Sequence, residues 1–323
     1  MILRKLLASA LFAAAVAFGG SGAAHAEFPE ELITLVVPYG PGGGTDLSAR
    51  ILAPALEKIL GQPVVVENKA GGGGAVALGQ LFAAEPDGCT IAVATGSNTT
   101  IIPHTTEVGY EVSEFTYIAD YFAWPYLIVV HPSVPADNLE ELVAWAKENP
   151  NGLVSATTGG FNIHMVAMGL LSERAGGLEI RSLPSNSAAE STARVLAGDA
   201  NVVVGSPATY MEHIKAGDLK ALAIVSDVVG PELEGLDIEK SVDALGFELT
   251  NTTVLIGPPG VPEDVRSTLE GAVEKALQDP EVVKQVSALG FPVQFDPGPK
   301  AKEKTMATYE TYGRIIEDLL ADN

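Results

Sequence analysis

The chain is poor in thiols, imidazoles and basic groups, and each shortage excludes a class of chemistry. Cys89 is the one cysteine, so no internal disulfide can form. No basic or histidine neighbour in sequence would lower its pKa, and it reads as a small buried residue rather than a nucleophile. Of the five histidines, His104, His131, His164 and His213 lie beyond the N-terminal segment; no two stand at metal-ligand spacing. Neither a Gly-x-Ser-x-Gly elbow nor a phosphate-binding lysine motif occurs. Lysine and arginine total 19 against 41 acidic residues, a formal net charge of −22, which makes nucleic acid an unsuitable partner. Beyond the N-terminus, no apolar run is long enough to span a bilayer.

What is present begins with a leader. Arg4 and Lys5 precede a short apolar stretch over 6–18, and Ala24-His25-Ala26 offers small residues at the two positions a signal peptidase requires. A signal peptide over 1–26, cleaved after Ala26, predicts an exported, periplasmic protein starting at Glu27. No cysteine follows the apolar stretch, so a lipid anchor is not expected. Losing Arg4 and Lys5 takes the formal charge from −22 to −24. The acidity is spread along helical stretches and reads as a solvated surface. It says little about the ligand, because at about 0.15 M salt charges more than about 8 Å apart are largely screened.

Short β-branched runs recur at 33–37, 64–66, 90–95, 127–130, 153–156, 201–204, 221–225 and 253–256. Most are apolar throughout, as strands buried on both faces should be. Helix-period segments alternate with them, which argues for α/β lobes with largely parallel sheets. One such segment carries Leu139, Leu142, Val143 and Ala146 behind the cap-capable Asp137 and Asn138. Another opens at Pro262 and a third at Asp279-Pro280, stopping at Gly290. Pro54 inside the pattern Leu52, Leu56, Ile59, Leu60 predicts a kink. The length beyond the leader exceeds what one simple core organises, so two lobes are expected.

Three loops at strand ends attract attention. The first, Pro38-Tyr-Gly-Pro-Gly-Gly-Gly-Thr-Asp46, runs from a strand straight into a helix. Backbone N–H groups at such a turn meet the positive end of a helix and favour an anion; Thr45 adds a hydroxyl and Asp46 can cap the helix. Thr95-Gly-Ser-Asn-Thr-Thr100 and Thr157-Thr-Gly-Gly-Phe-Asn162 are also donor-rich, and open α/β sheets bind ligands beyond the carboxyl ends of their strands. An ordinary polar turn explains each alone; three together suit a carboxylate. The second glycine cluster, 71–74, has loose dinucleotide spacing but stands off its strand and lacks the acid a ribose requires.

Taken in order, these segments resemble the substrate-binding components of tripartite tricarboxylate transporters, the Bug-type periplasmic receptors. The stretch from Ile33 to Asp46 is similar to that family's signature, as are Gly61-Gln-Pro-Val-Val-Val-Glu-Asn-Lys69, Pro86-Asp-Gly88, His213-Ile-Lys-Ala-Gly217 and Pro258-Pro-Gly-Val-Pro262. The resemblance implies a type II periplasmic-binding-protein fold, two α/β lobes with a ligand cleft between them. It would place lobe 1 over 27–125 and 251–323 and lobe 2 over 126–250. It implies ligand contacts from Tyr39, Gly43, Gly44, Thr45 and Asp46, from Ser97, Asn98 and Thr99, and from Thr158, Gly160, Asn162 and His164 of the other lobe. Ser206, in the loop over 205–209, adds a neutral hydroxyl. No cofactor, metal or catalytic residue is expected. The implied partners are a small mono- or dicarboxylate and membrane transporter subunits, with a monomeric receptor. Leu183-Pro-Ser-Asn-Ser187 and Gly205 depart from the family's usual residues, which bears on which carboxylate is bound. An enzyme on a related two-lobe scaffold, or a sensor partner presenting its ligand to a membrane kinase, remain as alternatives. Because the candidate loops carry neutral donors and Asp46 alone is acidic, acids without an amino group should be preferred over amino acids.

Overall fold

The computed structural model describes residues 28–29, 31–158, 161–185, 188–226, 229–230, 233, 237–249 and 251–321. The leader with its cleavage point, and Gly160 of the expected site, lie outside the described residues.

Two six-stranded sheets organise the described residues. The first contains β1 (Ile33–Val37), β2 (Val64–Asn68), β3 (Thr90–Thr95), β4 (Thr116–Ala123), β11 (Thr252–Gly257) and β12 (Val293–Pro297), in the order β12-β4-β11-β3-β1-β2. The second contains β5 (Leu127–Val130), β6 (Leu153–Thr158), β7 (Ile180–Ser185), β8 (Val202–Gly205), β9 (Lys220–Ile224) and β10 (Glu239–Lys240), in the order β10-β9-β5-β8-β6-β7. The chain crosses from β4 to β5 through Trp124, Pro125 and Tyr126, and re-enters the first sheet at Asn251.

The apolar strands are apolar because both faces are covered. Ile33, Leu35 and Val37 of β1 pack on one side with Leu52 and Leu56 of α1 (Gly44–Leu60) and with Leu269 and Val273 of α9 (Glu263–Ala276). Val36 faces the other way, towards Leu78 and Leu81 of α2 (Ala75–Phe82). In the second sheet Ile128 and Val130 face one core and Leu127 and Val129 the other. Each fully buried side chain of this kind contributes about 1.5–3 kcal/mol.

One expectation changes. The sheets are mixed, since β11 pairs antiparallel with both β3 and β4, and β5 antiparallel with both β8 and β9. The reason is topological: β4 leaves for the second sheet while β11 returns beside it, so neighbouring crossings run in opposite directions. Helix α1 holds Pro54 inside its 17 residues.

The last helix, α11 (Gly298–Ala321), packs on both sheets' cores. Ala301, Met306 and Tyr309 join the first, whereas Tyr312, Ile315, Ile316 and Leu319 join the second. Glycines permit this close seating. A Cβ on Gly169, in α5 (Ile163–Arg174), would lie 2.8 Å from Ile315 Cγ2, and one on Gly313 would lie 2.5 Å from the His104 ring. His104 Nε2 hydrogen-bonds to the Tyr309 carbonyl at 2.9 Å, and Arg314 pairs with Glu173 at 3.1 Å. The sequence reading, which kept 251–323 with the first lobe, did not anticipate this double attachment.

Candidate functional site

The glycine-rich turn after β1 is built around a buried carboxylate. Gly43 is the N-cap of α1, and no side chain caps it. Asp46, 1% exposed, instead reaches back to accept the Gly42 N–H at 2.8 Å, and it also accepts Arg50 Nε at 3.0 Å and Asn68 Nδ2 at 2.8 Å. Burial alone would raise the Asp46 carboxyl, but the hydrogen bonds from Arg50, Gly42 and Asn68 outweigh it and hold the group below the usual carboxylate range. Asp46 thus shapes the turn and has no free oxygen for a ligand cation. Gly42 adopts φ +88°, which L side chains avoid, and a Cβ on Gly44 would strike Phe291 and Trp124 at 2.7 and 2.9 Å. At Gly43 a Cβ would meet nothing within 4 Å, so that position faces open space.

The first helical bond of α1 runs from Leu47 N–H to the Gly43 carbonyl, which leaves the N–H groups of residues 44–46 without a partner inside the helix. Beside them lies a cavity of about 260 Å³. Tyr39 and Thr45 line it from the glycine turn, Thr95 and Ser97 from the end of β3, Trp124 and Tyr126 from the first crossover, and Asn251 from the return.

A hydrogen-bond network ties these walls together. Tyr39 Oη and Thr95 Oγ1 are 2.8 Å apart, and Asn98 Nδ2 donates to Tyr39 Oη at 3.3 Å. Asn251 Oδ1 accepts the Gly96 N–H at 3.1 Å, its Nδ2 donates to Tyr126 Oη at 2.7 Å, and its carbonyl accepts the Trp124 N–H at 2.9 Å. Trp124 Nε1 donates to Thr253 Oγ1 at 2.8 Å. Burial raises the phenol pKa of both Tyr39 and Tyr126, so both stay protonated. Among side chains lining the cavity, the Thr45 and Ser97 hydroxyls make no hydrogen bond to described residues, and the Tyr126 hydroxyl, which accepts from Asn251, keeps its own proton to donate.

The expected site residues therefore divide. Tyr39, Thr45 and Ser97 meet at the cavity, with Gly43 and Gly44 at its glycine rim. Asn98 and Thr99 are buried behind it. Asn98 Oδ1 accepts the Thr95 N–H, and Thr99 Oγ1 donates to the Thr95 carbonyl at 2.9 Å, because the turn over Ser97–Ile101 is a π-helical segment that folds its hydroxyls back on its own carbonyls. Asp46 lies under the turn. From the second sheet, Thr158 ends β6, Asn162 caps α5 by accepting the His164 and Met165 N–H groups, and Ser206 is the N-cap of α7 (Pro207–Ala216). Neither Asn162 nor Ser206 lines the cavity. The His164 ring stands edge-on to the wall residue Tyr126 at 6.5 Å, its Nδ1 is buried without a hydrogen-bond partner among the described residues, and burial pulls its pKa down to about 4.

Thr95, the first residue of the donor-rich loop, and Trp124, Tyr126 and Asn251, to which the sequence reading assigned no ligand role, complete the walls. The usable signal for the latter three was their place at the crossovers, which form the back of any cleft between two lobes. The second glycine cluster proves to be a close-packed turn. Gly71 to Gly74 all have positive φ, and a Cβ on Gly74 would meet Asn98 Nδ2 at 2.8 Å.

A larger cavity, about 930 Å³, opens between α5 and the β6–β7 edge, among Met165, Met168, Ile180 and Leu319. It draws on neither crossover nor on the glycine turn, and Ser155, Thr157, Arg181 and Ser182 give it polar groups of its own. Among the described residues no group of three His, Cys, Asp or Glu could hold a metal, and no helix is long and apolar enough to cross a membrane.

Two α/β lobes joined by adjacent crossings, with a donor-lined cavity where they meet, have the two-lobe architecture of solute-binding proteins. Comparison with known proteins identifies the lineage. Residues 48–319 match the family model for the tripartite tricarboxylate transporter family receptor. A UPF0065 protein of Bordetella pertussis is 30% identical over 286 residues, covering 88% of this chain and 86% of that protein. A ligand-free TctC solute binding protein from Polaromonas superposes with TM-score 0.81 at 23% identity, over 90% of this chain and 99% of that one. MatC from Rhodopseudomonas palustris, solved with bound malate, superposes with TM-score 0.69 at 24% identity, over 90% and 100%. The chain belongs to the tripartite tricarboxylate transporter receptor family.

Proposed function

We propose that this protein is the periplasmic receptor of a tripartite tricarboxylate-type transporter and captures a small carboxylate between its lobes for delivery to the membrane subunits. The observation that carries the reading is the character of the cavity at the crossovers. Its available donors are the Thr45, Ser97 and Tyr126 hydroxyls and the outward N–H groups of α1, all neutral, while the adjacent Asp46 is fully engaged. A carboxylate can be satisfied by such donors, and the end of a helix favours it by up to about 2 kcal/mol in partly buried geometry. An ammonium would enter without a partner, at a cost of several kcal/mol. Acids without an amino group are therefore the ligand class, and a cavity of about 260 Å³ suits a small one. On this reading residues 27–125 and most of 251–323 form one lobe and 126–250 the other. The leader over 1–26 exports the chain.

Calorimetry with matched pairs tests the proposal: succinate against aspartate, glutarate against glutamate, propionate against alanine. The acid of each pair should bind and its 2-amino analogue should bind at least tenfold more weakly. Uniformly tighter binding of the amino acids would overturn the reading. N-terminal sequencing of exported protein should begin at Glu27.

A further inference from the structure

The turn that brings Ser97 to the cavity is one bonded piece. It runs as a π-helical segment from Ser97 to Ile101 and continues as a short helix over Ile102–Thr105, with the Ile102 N–H bonded to the Ser97 carbonyl. Thr99 and Thr100 bond back to the carbonyls of Thr95 and Gly96, and Tyr110 Oη donates to the Asn98 carbonyl at 2.6 Å. Ser97, at one end of the piece, lines the cavity; His104, at the other, does not.

Its attachments belong to different lobes. Asn98 ties it to the first sheet, accepting the Thr95 N–H at 2.9 Å and donating to Tyr39 Oη. Ile101, fully buried, joins instead the core cluster of the second sheet, which also holds Tyr312, Ile315 and Ile316 of α11. His104 fastens the far end to α11 itself. Its Nε2 meets the Tyr309 carbonyl at 2.9 Å, its ring centre lies 4.0 Å from that of Tyr309, and it seats where residue 313 has no side chain. A carbonyl can only accept, so Nε2 carries the proton. Glycine inside a helix is less favourable than alanine, but an alanine Cβ at 313 would stand 2.5 Å from the ring, so α11 gives up helix propensity where the histidine enters.

A donor at the Ser97 end is useful only in register with its acceptor, since lengthening a hydrogen bond from about 2.8 Å to about 3.6 Å abolishes it. We propose that His104 is a positioning residue of the binding site: it touches no ligand, and by pinning this turn to the helix bedded in both lobes it sets where the Ser97 hydroxyl stands. The inference rests on a carboxylate bound in the crossover cavity and adds a residue that governs its affinity from outside.

A double-mutant cycle on the full chain tests it, read by calorimetry with whichever of succinate, glutarate and propionate the parent binds most tightly. His104→Ala and Ser97→Ala should each weaken binding about tenfold, and the double variant should also lose about tenfold, because the second change removes a group already displaced. His104→Gln, whose amide can donate to the Tyr309 carbonyl, should recover to within about threefold of the parent. Gly313→Ala attacks the same contact from α11 and should match His104→Ala, which keeps the cycle available if His104→Ala does not fold. Single losses that multiply to about a hundredfold in the double variant, or a His104→Ala affinity within about twofold of the parent, would overturn the proposal. Failure of all three acids to bind the parent would sink the carboxylate reading separately, and hydrogen exchange in the ligand-free chain then decides. Amides over 97–102 should exchange at least about fivefold faster in His104→Ala while those over 33–37 keep their rates; equal rates over 97–102 would show that His104 does not hold the turn.

Discussion

Replacing Asn251 by aspartate tests the electrostatic argument with minimal disturbance of the fold. Asn251 is 4% exposed and has the same shape as aspartate. In Asn251→Asp one oxygen keeps the bond from the Gly96 N–H, and the other accepts from the Tyr126 hydroxyl, which burial keeps protonated and free to rotate into the donor role. No buried polar atom loses its partner, so destabilisation is limited to burying a charge that receives two hydrogen bonds. The effect on a bound anion is larger. Two like charges about 5 Å apart repel by about 3 kcal/mol at an effective dielectric constant of about 20, which lowers affinity about two orders of magnitude. Calorimetry at pH 8 with the tightest-binding acid should show this loss, a drop to pH 5 should restore part of it as the new carboxyl protonates, and a thermal melt should confirm folding. Affinity within threefold of the parent at pH 8, in a folded variant, would refute the placement of an anion in this cavity.

Other substitutions probe single links. Thr45→Val removes a hydroxyl donor without changing shape and should weaken binding by about 1.5–3 kcal/mol, read by calorimetry, with unfolding temperature nearly unchanged. Gly43→Val should weaken binding and spare stability because its Cβ points into open space. Gly44→Val should instead lower the urea midpoint by displacing Phe291 and Trp124. Burial holds His164 at about 4 in the folded chain against about 6.5 unfolded. The unfolded state therefore binds the proton more readily across that window, and stability falls as pH drops from about 6.5 to about 4, by about 3 kcal/mol in total. In His164→Gln this part of the loss should disappear from urea unfolding curves; parallel pH profiles for the two chains would show that His164 does not titrate this way.

Much of the framework is legible in the residues themselves. The uniform apolar runs of β1, β3 and β5 announce strands covered on both faces, and Asn138 and Asp279 begin their helices by the capping bonds their sequences suggest. β4 escaped because its pattern, with buried Asp120 and several aromatics, fits neither an apolar run nor strict alternation. β7 escaped because Arg181, Ser182 and Pro184 lie on an exposed edge. At the site, the donor-rich look of residues 95–100 was only half informative. A hydroxyl's direction depends on local helix geometry, and here Thr99 and Thr100 bond back to the carbonyls of Thr95 and Gly96. Trp124 and Asn251 carry no periodic signal at all; they become wall residues only because two distant crossings are brought side by side.

The double attachment of α11 has a mechanical consequence. A helix of 24 residues is a stiff rod of about 36 Å, and this one is bedded in both cores, so it splints the joint that the two strand crossings would otherwise leave free to swing. A change in the angle between lobes must slide Tyr312, Ile315 and Ile316 over α5, or Ala301 and Tyr309 over the first core, which restricts the amplitude of opening. The same rod carries residues near Ala321 to the second lobe, while Phe28 packs on the first. Dyes placed near these two positions, one on each lobe, would report the angle between the lobes without replacing a residue that lines the cavity.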